Sequence, residues 1–253
     1  MAIPFSSASE RLAWRRSRLV SVPYVTTVEC QSPTTTPVPL DGTRSTDPDP
    51  GDSISHYQWF ETLPDGGLVG IGNQGQVTAQ VAFGSHSYLL DVYDQELGSN
   101  EEPVSLTVRD TTPPTVSNFA NDGPSCLWPP NHAFVVLRVG RDFTADVTDR
   151  CDAQPKLVIS EAESSEPVLG GGSGNTSPDI VVFPDHVCLR AERDGTDPVG
   201  RSYTVQLVGV DFSGNRSVPV STEILVPHDS SQQRCSNDRG LELAADGDPR
   251  CTP

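Results

Sequence analysis

Apolar and polar residues alternate over short stretches along most of the 253-residue chain, the period of two that marks half-buried β-strands. Ser53 to Phe60 reads SISHYQWF, with Tyr57 and Trp59 on one face and Gln58 on the other. Ser87 to Asp94 reads SYLLDVYD, which groups Tyr88, Leu90 and Val92, and Val104 to Val108 completes the set. Between these strands PDGG (64–67) and GNQG (72–75) supply turns, because glycine accepts the positive φ that tight turns need. The run Asp110-Thr-Thr-Pro-Pro114 then interrupts the alternation, and two successive prolines predict a short, stiff connector.

Beyond it strands are predicted at 134–139, 143–147, 157–160, 180–183, 187–191, 202–210 and 218–226, with a Gly/Ser-rich loop at 170–177. Tyr203, Val205 and Leu207 share one face, the signature of an antiparallel sheet buried on one side. About seven short strands per unit predicts an all-β chain of two tandem immunoglobulin-like antiparallel β-sandwiches joined by a short Pro-rich connector. The expected boundaries are a poorly ordered N-terminal segment (1–23), a first sandwich (24–109), the connector (110–114), a second sandwich (115–227) and a polar C-terminal tail (228–253). Little beyond Leu241, Leu243 and two alanines offers the tail anything to bury, so it is expected to be loosely ordered.

Composition narrows the function classes. Glycine (21) and proline (23) exceed the usual share without reaching the disordered range, consistent with frequent turns and no long helices. A net charge of -17 and a single lysine, Lys156, exclude a nucleic-acid partner, which would require clustered basic residues. Apolar runs stop at about four residues, as at Phe134 to Leu137, far short of the roughly 20 of a membrane-spanning helix. The first residues carry Arg11, Arg15, Arg16 and Arg18 with no apolar stretch after them, so no signal peptide is legible. Six widely spaced cysteines, without C-x-x-C or zinc-type spacing, point instead to disulfides in an oxidising compartment, secreted or cell-surface. Cys235 and Cys251 are candidates to staple the tail, although six cysteines allow 15 pairings.

The first unit, through GTRSTDPDPGDSISHYQWF, HSYLLDVYDQELG and VSLTVRD, resembles the PKD family of immunoglobulin-like modules, with one extra proline in its Asp49-Pro50-Gly51-Asp52 turn. The second, through DTTPP (110), LWPPNH (127), LRAER (189), GRSYT (200), DFSGN (211) and VPHD (226), resembles a hyalin-repeat-type module of bacterial extracellular proteins. Together the resemblances span residues 25 to 229 and imply no catalytic activity. Cys126 and Cys188 each directly precede one of these motifs, and a bridge between them across neighbouring strands is one expectation.

Calcium is the candidate cofactor. Asp47, Asp49 and Asp52 share a loop, with Asp94 in a turn the fold can bring to the same end; Asp146, Asp149 and Asp152 form a second group with Asp211. Hard carboxylate oxygens in flexible loops suit Ca²⁺, whereas the plainer alternative is that these acids cap their own turns. Trp128, with Asn131 and His132, is the candidate ligand site, a platform for a sugar ring; the alternative places Trp128 in the core. Glu161, Glu163, Glu166 and Glu192 are numerous enough for a glycosidase pair but are equally expected as charges on exposed strand edges. Gly70 to Gly75 fits G-x-G-x-x-G, but the alternating QVTAQVAF after it makes this a hairpin turn rather than a dinucleotide loop. No nucleophile elbow, H-E-x-x-H or Walker loop occurs. The expected function is therefore a non-catalytic extracellular scaffold or adhesion module, rigidified by calcium, for a protein or polysaccharide partner. The alternative is a carbohydrate-recognition accessory module of a larger hydrolase.

Overall fold

A computed structural model describes residues 27–47, 53–95, 99–169, 176–229 and 240–252. The expected N-terminal segment (1–23), Asp49, Asp52 and Cys235 lie outside these residues. The described chain is all-β, with no α-helix, and divides into two compact units between Asp110 and Thr111.

In the first unit one sheet is built from β1 (Thr27–Glu29), β3 (Ile54–Thr62), β4 (Leu68–Gly72), β6 (Gly84–Asp94) and β7 (Ser99–Arg109), in the order β1-β7-β6-β3-β4. The facing pair is β2 (Thr36–Asp41) with β5 (Gln76–Val81). All pairings are antiparallel except β1 with β7, which runs parallel. Strand β2, TPVPLD, escapes recognition in the sequence because of its two prolines. It pairs on one side only, and Pro37 and Pro39 point to solvent while Thr36, Val38 and Leu40 face inward, an arrangement edge strands tolerate. Trp59 fills the centre, fully buried, its indole N–H donating to the Gln74 carbonyl at 3.1 Å. The sheets meet so closely there that a Cβ on Gly42 would lie 2.8 Å from Leu90 and 3.3 Å from Trp59.

The second unit opposes a three-stranded sheet to a four-stranded one. The first comprises β11 (Lys156–Ser164), β14 (Gly200–Val210) and β15 (Val220–Pro227). The second has the order β12-β13-β9-β16, from β9 (Phe134–Arg138), β12 (Ile180–Val182), β13 (His186–Arg190) and β16 (Leu243–Ala244). A separate pair joins β8 (Thr115–Asn121) to β10 (Phe143–Thr148). Inward-facing Val135, Leu137, Val187 and Leu189 pack on Tyr203, Val205, Leu207, Ile224 and Val226. The outer face of the four-stranded sheet is apolar as well: Phe134, Val136, Val181 and Cys188 form a second cluster with Ala244 and Cys251. Strand β9 is thus covered on both sides, which explains why Phe134 to Leu137 reads as an unbroken apolar run rather than an alternation.

That second cluster corrects the expectation of a loose tail. Residues 240–252 belong to the fold: β16 pairs with β9, and a 3-10 turn (Pro249–Cys251) docks on β13 through the Cys188–Cys251 disulfide. It also corrects both expected pairings, Cys126 with Cys188 and Cys235 with Cys251, since the apolar outer face of β13 presents Cys188 to the C-terminal segment. Cys30, Cys126 and Cys151 are likewise disulfide-bonded.

Candidate functional site

Three motifs far apart in sequence, LWPPNH, LRAER and GRSYT, meet at one end of the second unit in a buried ionic network. Period-two alternation puts Arg190 of β13 on the face of Cys188, and Arg201 of β14 on the inward face of Tyr203. Arg201 is fully buried and donates to Asp179 (2.5 Å), Glu166 (3.1 Å), the Tyr203 hydroxyl (3.0 Å) and the Pro167 carbonyl (3.3 Å). Arg190, 2% exposed, donates to the carbonyls of Pro178 and His132 and to Asp246, with its guanidinium 4.1 Å from the Phe134 ring centroid. Tyr203 in turn donates to the Arg190 carbonyl at 2.9 Å, tying the two strands together.

The acids here are constrained by the same burial. Asp179 and Glu192 are fully buried; burial raises the pKa of Asp179 against the opposing pull of Arg201, and burial pushes the Tyr203 phenol up to about 12. Glu192 receives the His132 imidazole, Nδ1 at 3.0 Å, and the Thr176 hydroxyl. His132 sits at φ 63°, in the left-handed region rare for a side-chain-bearing residue. It is held there by its amide on the Ala191 carbonyl, its carbonyl on Arg190 and its ring on Glu192. Glu166 and Glu192, expected as exposed strand charges or a glycosidase pair, are instead the buried counter-ions of this network; Glu161 and Glu163 remain exposed.

The candidate sugar platform is only partly assembled. Leu127, not Trp128, is the residue of its motif in the core; Trp128 is half-buried, while Asn131 and His132 are exposed. Asn131 Oδ1 accepts from the Ala133 amide, so half of its amide group shapes the loop.

The acidic groups are spread over strands and turns, with Asp94 ending β6 and Asp146 inside β10. In the first unit Asp94 is 6% exposed and Asp47 half-buried, while Asp49 and Asp52 lie outside the described residues. Gln95 donates to Ser53 at 2.9 Å and the Ser55 hydroxyl to the Asp94 carbonyl at 2.6 Å, so residue 53 sits beside residues 94 and 95. In the second unit Asp146 accepts from Asn118, Asp149 from the amides of Cys151 and Asp152, Asp152 from those of Gln154 and Phe212, and Asp211 from Asn215. The bonds to Asp149, that from Gln154 to Asp152 and those to Asp211 cap local turns, whereas Asn118 reaches Asp146 across β8 and β10 and Phe212 reaches Asp152 from 60 residues away. Among the described residues the four carboxylates do not converge on one point.

Asp152 and Asp211 nevertheless border a groove that sequence reasoning passed over. It lies at the end of β14 opposite the ionic network, with a volume of about 440 Å³. Lys156, Arg216, Gln154, Val158, Pro184 and Val210 complete most of its lining. The available signal was the lone lysine, noted only as a deficit of positive charge.

The chain matches no family model and no curated protein. Among solved structures it is similar to the fibronectin(III)-like modules of Clostridium thermocellum CbhA, at 14% identity over 79% of this chain and 88% of that one, with a TM-score of 0.27. It is also similar to the protocadherin GammaB4 extracellular domain, at 16% identity over 79% of this chain and 31% of that one, with a TM-score of 0.25. The chain therefore spans about a third of that protocadherin structure.

Proposed function

We propose that this chain is a non-catalytic, disulfide-stabilised pair of β-sandwiches that works outside the reducing cytosol, secreted or on a bacterial cell surface, as a scaffold or adhesion module. The supporting observation is the state of the cysteines: no free cysteine occurs among the described residues, and Cys188–Cys251 closes a C-terminal cover over the second unit. Such cross-links persist in oxidising compartments and are rare where glutathione keeps thiols reduced. The burial of the most conspicuous carboxylates against arginines supports a structural use for them, since a hydrolase needs its acid and base in contact with substrate. The PKD-type and hyalin-repeat-type resemblances belong to the same proposal, as does an extracellular protein or polysaccharide as partner.

Calcium is part of it at the first unit's loop, where Asp47 and Asp94, with Asp49 and Asp52, are oxygen donors of the right chemistry. Thermal melts with and without EGTA test the ion: a lower midpoint in EGTA supports it, and an unchanged midpoint removes it. The compartment is tested by counting free thiols in denatured, unreduced protein recovered from its native source. None is expected, and six titratable thiols would overturn the proposal.

A further inference from the structure

The only lysine in a chain of net charge -17 is placed by strand register rather than at random. Lys156, the first residue of β11, lies directly opposite Val210, the last residue of β14. Arg216, returning from the DFSGN turn, bridges the other side of the same Val210. Residues directly opposite across a strand pair project from the same face, so Lys156, Val210 and Arg216 stand side by side. Alternation adds Val158, two positions on from Lys156, and assigns all four to the face of the sheet away from Leu207 and the core.

The polar groups of this groove divide sharply in their commitments. Both oxygens of Asp152 accept from backbone amides, of Gln154 and Phe212, each at 2.8 Å. Both oxygens of Asp211 accept from Asn215, at 2.9 and 2.8 Å. Each carboxylate oxygen keeps a further lone pair able to accept a weakly acidic hydroxyl. Among the described residues Lys156 and Arg216, by contrast, carry no ion pair or side-chain hydrogen bond, so the exposed donors of these two lining residues are open to a ligand. Val158, Pro184 and Val210 give the same cavity an apolar wall, and its volume of about 440 Å³ falls within the usual range for a small-ligand site.

We propose that this groove binds an acidic sugar, a uronic-acid residue of a polysaccharide. Its carboxylate pairs with Lys156 and Arg216, the strongest hydrogen-bond class open to those donors. Its hydroxyls donate to Asp152 and Asp211, and its C–H face lies on Val158, Pro184 and Val210. A neutral sugar leaves both cations unmatched, and an acidic peptide, though its backbone N–H groups can donate to the aspartates, offers no hydroxyl-bearing ring whose C–H face can lie on the apolar wall. The repulsive charge of the rest of the chain is screened beyond about 8 Å at physiological salt, so it does not oppose a contact made at hydrogen-bond range. The inference rests on the extracellular binding role proposed above and fails independently of it, because the thiol count does not involve the groove.

The test is isothermal titration of the full chain with a galacturonic acid trimer, its fully methyl-esterified form and poly-glutamate. The acid trimer is expected to bind. Lys156→Gln and Arg216→Gln are each expected to weaken it by about tenfold, the effect of losing one charge-assisted hydrogen bond. Arg44→Gln in the first unit is expected to change nothing, and circular dichroism checks that each variant keeps its strand signal. Binding of the methyl ester as tightly as the acid would overturn the proposal. So would tighter binding of poly-glutamate, wild-type affinity in both groove variants, or no binding of the acid trimer at all.

Discussion

Replacing Cys188 and Cys251 together by alanine removes a cross-link between positions 63 residues apart and tests whether the C-terminal segment stabilises the second unit. Closing a loop of that length restricts the unfolded chain by roughly 14 cal/mol/K, or about 4 kcal/mol at 25 °C. For a unit of this size about 2–4 °C of melting temperature accompanies each kcal/mol, so the second unit's transition should fall by about 8–16 °C. The loss should also be visible locally. The Val136 amide donates to the Glu242 carbonyl at 2.8 Å, the bond by which the C-terminal segment covers β9. Differential scanning calorimetry reads the midpoint, and hydrogen exchange reads Val136, which should lose protection before the amides of β14. A midpoint within about 2 °C of the parent's, with Val136 still protected, refutes the idea that the disulfide holds a stabilising cover in place.

Other perturbations reach different parts of the structure. Arg201→Met removes the hydrogen-bonding cation of buried Asp179 and Glu166, leaving Asp179 only Arg190 at 3.7 Å, and urea unfolding should show a loss of about 3–5 kcal/mol. Adding Asp179→Leu to that variant should recover part of the loss, because no uncompensated charge then remains at that position; no recovery would contradict the electrostatic account. Hydrogen bonding to Arg138, against an opposing burial effect, and then to Arg141 holds Glu242 at a pKa of about 2, below its ordinary 4.5. A depressed acid contributes stability above its unfolded pKa and loses it as pH falls. Protection of residues 240–252 from proteolysis should therefore decline between pH 4.5 and about 2, and Glu242→Gln should flatten that decline. At Gly200, φ is +85° and a Cβ would lie 2.4 Å from the Val226 carbonyl oxygen, whereas at Gly214, φ +87°, nothing lies within 4 Å. Alanine at Gly214 should cost about 1 kcal/mol for the conformation alone, and at Gly200 clearly more; equal losses by urea titration would discount the steric contact.

How much of this was legible in the chain depended on whether a signal was local. Strands β3, β6, β11 and β14 show their alternation because each contrasts a more buried face with a more solvated one. Strand β2 was hidden by Pro37 and Pro39, which its position at a sheet edge makes harmless. The motif around Trp128 announced a distinctive loop, but Leu127 rather than Trp128 enters the core, a difference of one position that only packing decides. The carboxylates Glu166 and Glu192 read as surface charges because their arginine and histidine partners lie up to 60 residues away.

Period-two alternation, frequent glycine and proline, and six dispersed cysteines were enough to specify an all-β chain of two units with disulfide chemistry, because strand patterning, turn conformation and thiol usage are properties of short stretches. Tertiary structure alone decided the rest. It folded a polar-looking C-terminal segment over the apolar back of β9, selected Cys251 as the partner of Cys188, and drew LWPPNH, LRAER and GRSYT into one buried ionic network. It also set Lys156 and Arg216 on either side of Val210. Each of these depends on which strands become neighbours, a long-range outcome of burying both sheets at once that no window of adjacent residues contains.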